Sequence, residues 1–387
     1  MVVAIALPRI LRIGAGASSE LAKTLEGLGL SKPLIVTDRF LQDSGRVDEL
    51  ATSLRSANLS YRVFADTVSE PTAASIEAAR AFLDAGDHDC IVGFGGGSPM
   101  DSAKAIAVLG KHGGRMRDYK VPHVQDVPGL PIIAIPTTAG TGSEATRFTV
   151  ITDETCDEKM LCVGLAYLPV AALVDYELTL SKPAKLTAET GLDALTHALE
   201  AYVSRRASAF SDTFALAALS AIGPNLRKAC EDGNDRAARE AMMLGALQAG
   251  IAFSNSSVAL VHGMSRPIGA HFHVPHGLSN AMLLPVVTAY SAPAALSRYA
   301  RCARVMGIGR EEESDQAGVA RLVAELESLN ADLKVLTPRA FGIDEARWTA
   351  LLPLMAEQAL ASGSPGNNPI TPTAQEIEAL YRRAWAS

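Results

Sequence analysis

The sequence HDCIVGFGGGSPMDSAKAIAVLG, residues 88–110, gives the clearest indication of the fold. An apolar run with β-branched residues ends in a row of glycines, and the residues that follow have helical spacing. A strand that enters a helix through such a turn lets backbone N–H groups approach phosphate oxygens. The turn alone is equally compatible with an ordinary tight connection. It matches neither the GxGxxG fingerprint nor the GxxxxGK[ST] loop.

The rest of the first half repeats this alternation of strand and helix. The chain start, MVVAIALPRILRIG, is predicted to be a first strand. Further strand-like runs are KPLIVTD (32–38), YRVFADT (61–67), LPIIAIPTT (130–138) and PVAALVD (169–175). Helix-like stretches separate them, as in SSELAKTLEGLG (18–29) and TAASIEAARAFLDAG (72–86). This order predicts an α/β dinucleotide-binding domain with a mostly parallel sheet. Residues 145–163 break the pattern and predict a β-hairpin.

The second half is helical in character. From Ala188 onward nearly every stretch has helical spacing, and strand-like runs almost vanish. We therefore predict an α/β domain over residues 1–185 and an all-helical, metal- and substrate-binding domain over residues 186–387.

Composition and charge limit the classes of function. The 387 residues are 48% hydrophobic and 20% charged, which is enough to bury a large core. A net charge of −7 without any basic run argues against nucleic acid or an anionic membrane as a partner. Five scattered cysteines without a CxxC pair fit a reducing compartment. We expect a cytoplasmic protein.

Two further features support a nucleotide site. A second glycine- and hydroxyl-rich loop, PTTAGTGSEAT (136–146), follows the next strand after the first loop. Asp38 ends an earlier strand, where a carboxylate can bind ribose hydroxyls and repel a 2′-phosphate. This favours NAD over NADP, although Asp38 is also an ordinary strand-ending turn residue. Ser98 is expected to cap the helix that follows the glycines.

The helical half contains a candidate metal site. Asp193 and His197 are four residues apart in TGLDALTHALEAY (190–202), so they share one helix face. Such a pair alone is equally typical of a surface salt bridge. Residues 258–277 add four histidines, of which His262 lies in a helical stretch and His276 opens the next helix. One aspartate and three histidines can bind a transition metal and leave a position for substrate.

These motifs, taken in order, resemble the iron-containing (group III) alcohol dehydrogenases, and the pattern is similar to their lactaldehyde reductase (1,2-propanediol oxidoreductase) branch. The matching strings are VTD (36–38), GGGSPMDSAK (95–104), PTTAGTGSEAT (136–146), TGLDALTHALEAY (190–202), VHGM (261–264) and PHGLSNAMLLP (275–285). The resemblance implies a dinucleotide-binding domain, a helical metal domain and a cleft between them. It also implies NAD, one divalent metal with Fe²⁺ favoured over Zn²⁺, and a small alcohol or aldehyde substrate. It further implies a homo-oligomer, a dimer or larger.

The resemblance assigns roles residue by residue. It places the metal ligands at Asp193, His197, His262 and His276. It places cofactor contacts at Gly95, Gly96, Gly97, Ser98, Asp101, Thr137, Thr138, Ser143 and Leu178, with Lys104 close to the first loop. Phe148 and Phe253 match positions that line the substrate pocket, although core packing explains them equally well.

Arg266 departs from the family pattern. The family commonly has a histidine four residues after the ligand at position 262, and that histidine is discussed as a proton relay. Arginine stays protonated and cannot take this part. We consider that Arg266 is offset by a carboxylate, reaches solvent, or binds an anionic group of the cofactor or substrate. His271 and His273 match no ligand position.

Three functions are compared. The preferred one is an NAD- and metal-dependent alcohol dehydrogenase or aldehyde reductase, in which the metal acts as a Lewis acid on the substrate oxygen. Its variant is a reductase of an acidic semialdehyde or ketone, similar to maleylacetate reductase. The others are a dehydroquinate-synthase-like lyase and a non-catalytic nucleotide-binding protein. PTTAGTGSE and DALTHALE argue against the lyase.

Overall fold

The computed structural model describes residues 2–156 and 158–386. The chain divides into two compact units. The α/β unit spans Ile5–Leu180, and the helical unit comprises Met1–Ala4 together with Ser181–Ser387. Each unit has its own secondary-structure class, as the change of sequence texture predicts.

The α/β unit contains eight described strands and five helices. The strands are β1 Ile10–Ile13, β2 Pro33–Val36, β3 Arg62–Phe64, β4 Cys90–Gly95, β5 Ile132–Pro136, β6 Phe148–Asp153, β7 Glu158–Val163 and β8 Ala171–Val174. The helices are α1 Leu21–Leu28, α2 Arg39–Asp43, α3 Arg46–Ser56, α4 Ala73–Asp84 and α5 Gly97–His112.

Six of these strands form one parallel sheet in the order β1-β8-β5-β4-β2-β3. Successive strand residues point to opposite faces, so Leu34 and Ile91 join a core with α4 and α5, whereas Ile35 and Val92 join a core with α1 and α3. The sheet is therefore covered by helices on both faces, which is why its central strands are continuously apolar. The predicted mostly parallel α/β fold is confirmed.

Two details of the predicted strands are settled by the structure. β6 and β7 pair antiparallel from Phe148↔Val163 to Asp153↔Glu158, which confirms the hairpin. The chain start was expected to be a strand throughout, and this is wrong for its first part, because β1 begins only at Ile10. Val2 and Val3 are exposed and belong to no described strand, so their apolar character does not reflect a sheet position.

The helical unit has eleven helices in its described part. They are α6 Ala184–Val203, α7 Ala209–Ile222, α8 Leu226–Glu231, α9 Arg236–Ser256, α10 Leu260–Phe272, α11 His276–Ser291, α12 Leu296–Val305, α13 Asp315–Asp332, α14 Pro338–Phe341, α15 Glu345–Ala361 and α16 Ala374–Ala386.

α6 is the central helix of this unit. It packs against α7, α9 and α11, and all of its residues from Gly191 to Val203 are buried. No single described helix is long and apolar enough to cross a membrane; α9 and α10 meet that test only as a pair bent by 103°. A helix buried on every side places any polar residue it contains in the interior, where polar groups need partners. α6 contains three such residues on one face.

Candidate metal centre and cofactor-binding loops

The three buried polar residues that share one face of α6 are Asp193, His197 and Glu200, whose exposed fractions are 2%, 5% and 4%. Their spacing of four and then three residues aligns them along one side of the helix. Apolar residues such as Leu195 and Leu199 fill the other sides. The sequence thus builds a polar stripe into an otherwise apolar core helix.

Two further helices bring histidines to this stripe. His262 lies in the first turn of α10, and His276 is the first residue of α11. α11 can approach α6 closely because residue 277 is glycine: a Cβ there would lie 2.3 Å from the carbonyl oxygen of Glu189. Gly277 therefore allows the neighbouring His276 to reach Asp193.

The four predicted ligand residues come together. One ligand atom from each of Asp193, His197, His262 and His276 lies within 4.8 Å of the others. Oδ1 of Asp193 is 3.6 Å from Nε2 of His262, 3.6 Å from Nε2 of His276 and 3.8 Å from Nδ1 of His197. Ligand atoms arranged tetrahedrally about 2.1 Å from an ion are about 3.4 Å apart. The spacing therefore fits a single divalent ion.

Asn280 supports this interpretation of the geometry. Its Nδ2 lies 2.7 Å from Oδ1 of Asp193, 3.1 Å from Nε2 of His262 and 3.2 Å from Nε2 of His276. Three acceptor atoms thus converge on one electropositive group. Oδ1 of the same amide is buried and has no hydrogen-bond partner among the described residues. Lone pairs that converge in this way are the arrangement that a cation requires.

Glu200 fixes the orientation of His262. Its carboxylate accepts the Nδ1–H of His262 at 2.7 Å and the backbone N–H groups of Ala259 and Val261 at 2.8 and 2.5 Å. A proton held on Nδ1 leaves Nε2 as a lone pair that faces the cluster. The same carboxylate binds the positive end of α10. One buried side chain therefore starts the helix and selects the tautomer.

Interactions within the cluster shift the pKa values of Asp193 and His262 in opposite directions. Burial by itself raises the pKa of Asp193, but the nearby His197, His276 and His262 lower it below its ordinary value. Burial lowers the pKa of His262, yet hydrogen bonds with Asp193 and Glu200 outweigh burial and raise it. Asp193 therefore remains a carboxylate, the form that binds metals.

The two predicted substrate residues have different surroundings. Phe253 lies on α9 and stacks on His197, with ring centroids 4.2 Å apart and an interplanar angle of 12°. Phe148 begins β6, and its backbone carbonyl accepts a hydrogen bond from Lys104 at 2.9 Å. The phenyl ring of Phe253 thus restrains a candidate metal ligand.

The remaining histidines of residues 258–277 lie away from the cluster. Nε2 of His271 contacts Oε1 of Gln358 at 2.8 Å. His273 ends α10 in a left-handed conformation and is exposed. Both residues serve the end of α10, and neither belongs to the four-residue cluster.

Arg266 lies one helical turn after His262. Its Nη1 donates to Oγ of Ser364 at 2.9 Å, and the side chain is partly buried. Ser364 is 4% exposed and begins a short 3₁₀ segment, Ser364–Asn367. Burial lowers the pKa of Arg266 to about 10, while Glu200 opposes this shift. The guanidinium therefore stays charged at neutral pH.

In the α/β unit the predicted cofactor residues lie along one edge of the sheet. Asp38 follows β2, Gly95–Ser98 follow β4, Thr137 and Thr138 follow β5, and Leu178 follows β8. Since these strands are parallel, the residues that follow them lie at the same carboxyl edge. The chain direction across the sheet reverses between β2 and β4, where ligands bind in such folds.

The two glycine-rich loops are neighbours. A Cβ on Gly97 would lie 3.0 Å from Cγ2 of Thr141, and one on Gly96 would lie 3.5 Å from Oγ1 of Thr138. Gly95 has φ +152°, a conformation that other residues rarely adopt. The two loops therefore lie against each other at the start of α5.

The expectation that Ser98 caps α5 is wrong. The N-cap is Gly96, and Ser98 is already the second residue of the helix. Its hydroxyl instead accepts the backbone N–H of Glu70 at 3.2 Å. The cap shifts because Gly96 takes the extended conformation that an N-cap needs.

Asp38 is the N-cap of α2. Its Oδ1 accepts the backbone N–H of Leu41 at 2.9 Å, and the side chain remains partly exposed. Asp38 therefore has the structural role of a turn residue after β2, which was the alternative to a cofactor contact. One carboxylate oxygen can cap a helix while the other binds a ligand, so both functions are compatible.

Behind the loops lies a cluster of buried charges, Asp101, Lys104 and Glu144. Burial raises the pKa of Asp101 to about 6 and that of Glu144 to about 7, and it lowers the pKa of Lys104 to about 8. Lys104 donates at 2.9 Å to the carbonyl and hydroxyl oxygens of Thr146 and to the Phe148 carbonyl, and Ser143 donates to Asp101 at 3.2 Å. α5 thus anchors the second loop.

Three residues of this geometry are absent from the sequence-based assignment. Glu200 continues the 193–197 spacing by three residues, so its position on the ligand face of α6 was readable from the sequence. Asn280 likewise follows His276 by one turn. Ser364 is nearly a hundred residues from Arg266 along the chain, and no sequence signal connects the two.

Comparison with known proteins agrees with this geometry. The family model "Iron-containing alcohol dehydrogenase" matches residues 8–176, and "Fe-containing alcohol dehydrogenase family, C-terminal" matches residues 187–385. The NAD-dependent methanol dehydrogenase of Bacillus methanolicus is 36% identical over 96% of this chain and 97% of its own. The lactaldehyde reductase of Escherichia coli K12 is 35% identical over 96% and 97%.

A solved structure extends the similarity to three dimensions. The crystal structure of a 1,3-propanediol oxidoreductase superposes with a TM-score of 0.95 and 35% sequence identity, covering 99% of this chain and all of that one. Both halves of the chain match models of one enzyme family, and full-length relatives share more than a third of its residues. The chain therefore belongs to the iron-containing alcohol dehydrogenase family.

Proposed function

We propose that Asp193, His197, His262 and His276 bind one divalent metal ion in an NAD-dependent oxidoreductase that interconverts small alcohols and aldehydes. The observation that carries this proposal is the convergence of one carboxylate and three imidazoles within 4.8 Å in a buried part of the helical unit. Buried ionisable groups cost free energy unless they are paired or coordinate a metal.

The chemistry divides between the bound groups and the chain. When bound, the metal supplies Lewis acidity towards the substrate oxygen, and the nicotinamide supplies or accepts the hydride. Glu200 holds the proton on Nδ1 of His262 and so keeps its Nε2 available. Phe253 covers one face of His197 and limits water there. His276, whose side chain is 38% exposed, marks the open side of the cluster.

For the cofactor, we propose that the carboxyl edge of the sheet binds NAD(H). Gly95, Gly96, Gly97 and Ser98 offer backbone N–H groups to the pyrophosphate. The second loop contributes Thr137, Thr138 and Ser143, with Asp101 anchoring Ser143 from behind. Asp38 binds the ribose hydroxyls, and Leu178 packs beside the adenine.

The metal is proposed to be Fe²⁺. A donor set of one carboxylate and three imidazoles suits several divalent ions, so the donor atoms alone do not select iron over zinc. Membership of the iron-containing family supports Fe²⁺. Phe148 and Phe253 are proposed to contact the substrate.

The two other functions have less support. A dehydroquinate-synthase-like lyase is disfavoured because both halves of the chain match alcohol dehydrogenase models. A non-catalytic nucleotide-binding protein has no use for four converging ligand residues in a buried cluster. The charged guanidinium of Arg266, which is hydrogen-bonded to the neutral Ser364, supports the variant in which the substrate is an acidic aldehyde.

We further propose a cytoplasmic homodimer or larger oligomer. All five cysteines are free thiols, and Cys90, Cys162 and Cys302 are buried, which suits a reducing compartment. β1 is an edge strand of the sheet, and Leu11 and Ile13 on it are 36% and 50% exposed. Exposed apolar edge strands favour pairing with a second chain. Light scattering of wild type and Ile13→Lys tests this, and a monomeric wild type would refute it.

The central experiment compares His276→Ala with His273→Ala. Both variants remove an imidazole from the connection between α10 and α11, but only His276 belongs to the cluster. Protein reconstituted with Fe²⁺ without oxygen should consume NADH with small aldehydes, bind about one metal per chain, and lose both properties in His276→Ala alone. Full activity of His276→Ala, or of protein shown to be free of metal, refutes the proposal.

A further inference from the structure

The guanidinium of Arg266 lies on the same face of α10 as the candidate ligand His262. The two residues are four apart, and residues with this spacing lie one above the other on a helix, with their Cα atoms roughly 6 Å apart. The 3₁₀ segment Ser364–Asn367 packs against this part of α10, since a Cβ on Gly263 would lie 2.7 Å from Cγ of Pro365. Arg266 is therefore held between its helix and a fixed neighbouring segment.

Arg266 has no ion-pair partner in the part of the chain that the structure describes. In residues 2–156 and 158–386 its one hydrogen bond is to the neutral hydroxyl of Ser364, and no carboxylate lies within ion-pairing distance. The carboxylate that acts on it electrostatically is Glu200. Glu200 already accepts three N–H groups, from Ala259, Val261 and His262. A partly buried cation without a counterion is unfavourable unless a ligand provides one.

The other N–H groups of the guanidinium are available. Arginine has five N–H donors, and Ser364 accepts only one of them. The remaining guanidinium nitrogens of Arg266 are not among the fully buried side-chain atoms that lack a hydrogen-bond partner in the described residues. They are therefore accessible to solvent. A donor group with free access and one fixed anchor is suited to binding an incoming anion.

Charge balance points in the same direction. Asp193 and Glu200 contribute two negative charges to this interior region. A divalent ion and Arg266 would contribute three positive ones. The excess of one positive charge is removed when the bound ligand carries one negative charge.

We propose that Arg266, held by Ser364, binds the anionic end of the substrate, so that the enzyme prefers short aldehydes and alcohols with a terminal carboxylate. This inference rests on the proposed function. In the reduction, NADH gives a hydride to the carbonyl carbon and a proton adds to its oxygen, while the carboxylate is unchanged. A carboxylate matches the planar guanidinium fork better than a neutral hydroxyl does.

The test compares two aldehydes of four carbons, succinic semialdehyde and butanal, in wild type and Arg266→Met. For wild type, kcat/KM should be higher for succinic semialdehyde. In Arg266→Met this value should fall about 10- to 100-fold, mainly through KM, while butanal changes by less than about two-fold. Arg266→Lys keeps the charge but lacks the planar guanidinium. Its kcat/KM for succinic semialdehyde should lie between those of wild type and Arg266→Met. Ser364→Ala should reduce the preference by a smaller factor.

A binding measurement provides a readout that does not need turnover. Calorimetric titration of metal-loaded protein with 4-hydroxybutyrate should give a Kd that Arg266→Met weakens by the same factor and that added salt weakens further. The matched control is Arg205→Met, since Arg205 also donates to a hydroxyl, that of Thr371, but is exposed. Arg205→Met should change neither the Kd for 4-hydroxybutyrate nor its dependence on salt.

The outcomes distinguish a failure of the proposed function from a failure of the proposed role of Arg266. If wild type reduces neither aldehyde with NADH and metal, the proposed function fails, and the 4-hydroxybutyrate titration still decides the role of Arg266. If Arg266→Met lowers kcat/KM equally for both aldehydes, or raises the KM for NADH instead, the substrate-binding role is wrong. Equal preference of wild type for the two aldehydes also overturns it.

Discussion

Glu200 and His262 are joined by a hydrogen bond of 2.7 Å between a carboxylate and Nδ1, both buried almost completely. The bond connects the last turn of α6 with the first turn of α10. Because the same carboxylate also accepts the N–H groups of Ala259 and Val261, the position of α10 and the orientation of His262 depend on one residue.

Replacing Glu200 with glutamine should weaken metal binding. The amide is nearly the same size, but it offers a weaker acceptor to Nδ1 and lacks the charge that makes the imidazole a better ligand. Loss of such a partner lowers metal affinity by about 10- to 100-fold. Competition with a chromophoric chelator measures this directly. Glu327→Gln, which changes an exposed carboxyl of the same unit, is the control. Unchanged affinity in Glu200→Gln would show that the hydrogen bond from His262 to Glu200 does not support metal binding.

Asp38→Asn should relax the preference for NAD over NADP. Asparagine keeps an oxygen for the Leu41 N–H and so preserves the cap of α2, while the charge that repels a 2′-phosphate is lost. We expect the ratio of kcat/KM for NADPH to that for NADH to rise about ten-fold, which corresponds to about 1.4 kcal/mol. Asp38→Gly should act similarly at a cost of a few tenths of a kcal/mol in stability. An unchanged ratio in Asp38→Asn would leave Asp38 as a cap alone.

Lys104→Met should destabilise the α/β unit and weaken NADH binding. The change leaves the carbonyl groups of Thr146 and Phe148 without their buried donor, which costs about 2–4 kcal/mol. The second loop then loses its anchor on α5. Urea unfolding and NADH fluorescence titration measure the two effects. Lys111→Met, at an exposed position of the same helix, should leave both near wild-type values. Equal behaviour of the two variants would contradict the anchoring role.

Glu144 should make the stability of the protein depend on pH. Burial raises its pKa to about 7, above its ordinary value of 4.5. The folded state therefore binds more protons than the unfolded state between these values, and its free energy of unfolding falls as pH rises through about 7, by about 1–3 kcal/mol. Glu144→Gln removes this contribution, so its Tm should fall less than that of wild type between pH 5 and pH 8.

The control for this pH experiment is Glu77→Gln, which changes an exposed carboxyl of the same unit. It should keep the wild-type pH dependence. Asp101, whose pKa is raised to about 6, leaves some slope in Glu144→Gln as well. Parallel Tm curves for wild type and Glu144→Gln would show that residue 144 is not a buried acid.

Features that depend on local periodicity were predictable from the sequence. The strands around β2, β4 and β5 and the hairpin β6–β7 follow from short apolar runs between turn residues. The shared face of Asp193 and His197 follows from helical spacing alone. In each case the determining residues are within one turn or one strand of each other, so no knowledge of tertiary packing is needed.

Features that depend on packing between distant segments were not predictable from the sequence. The contact of Arg266 with Ser364 joins residues 98 positions apart, and the contact of Glu200 with His262 joins residues 62 positions apart. Ser98 shows the same difficulty on a smaller scale: its hydroxyl is drawn to Glu70 in another loop, and Gly96 takes the cap. Local preference yields there to a tertiary hydrogen bond.

Gly277 is a position at which even a small side chain would disturb the packing of α11 against α6. The residue has no side chain and binds nothing, yet any added methyl group would collide with the backbone of Glu189 and push the start of α11 outward. Because His276 directly precedes Gly277, such a change would disturb the proposed metal site without replacing any of the four proposed ligand residues. In a mutagenesis screen, an alanine at this position would be scored as a loss of metal binding, although every proposed ligand residue is still encoded.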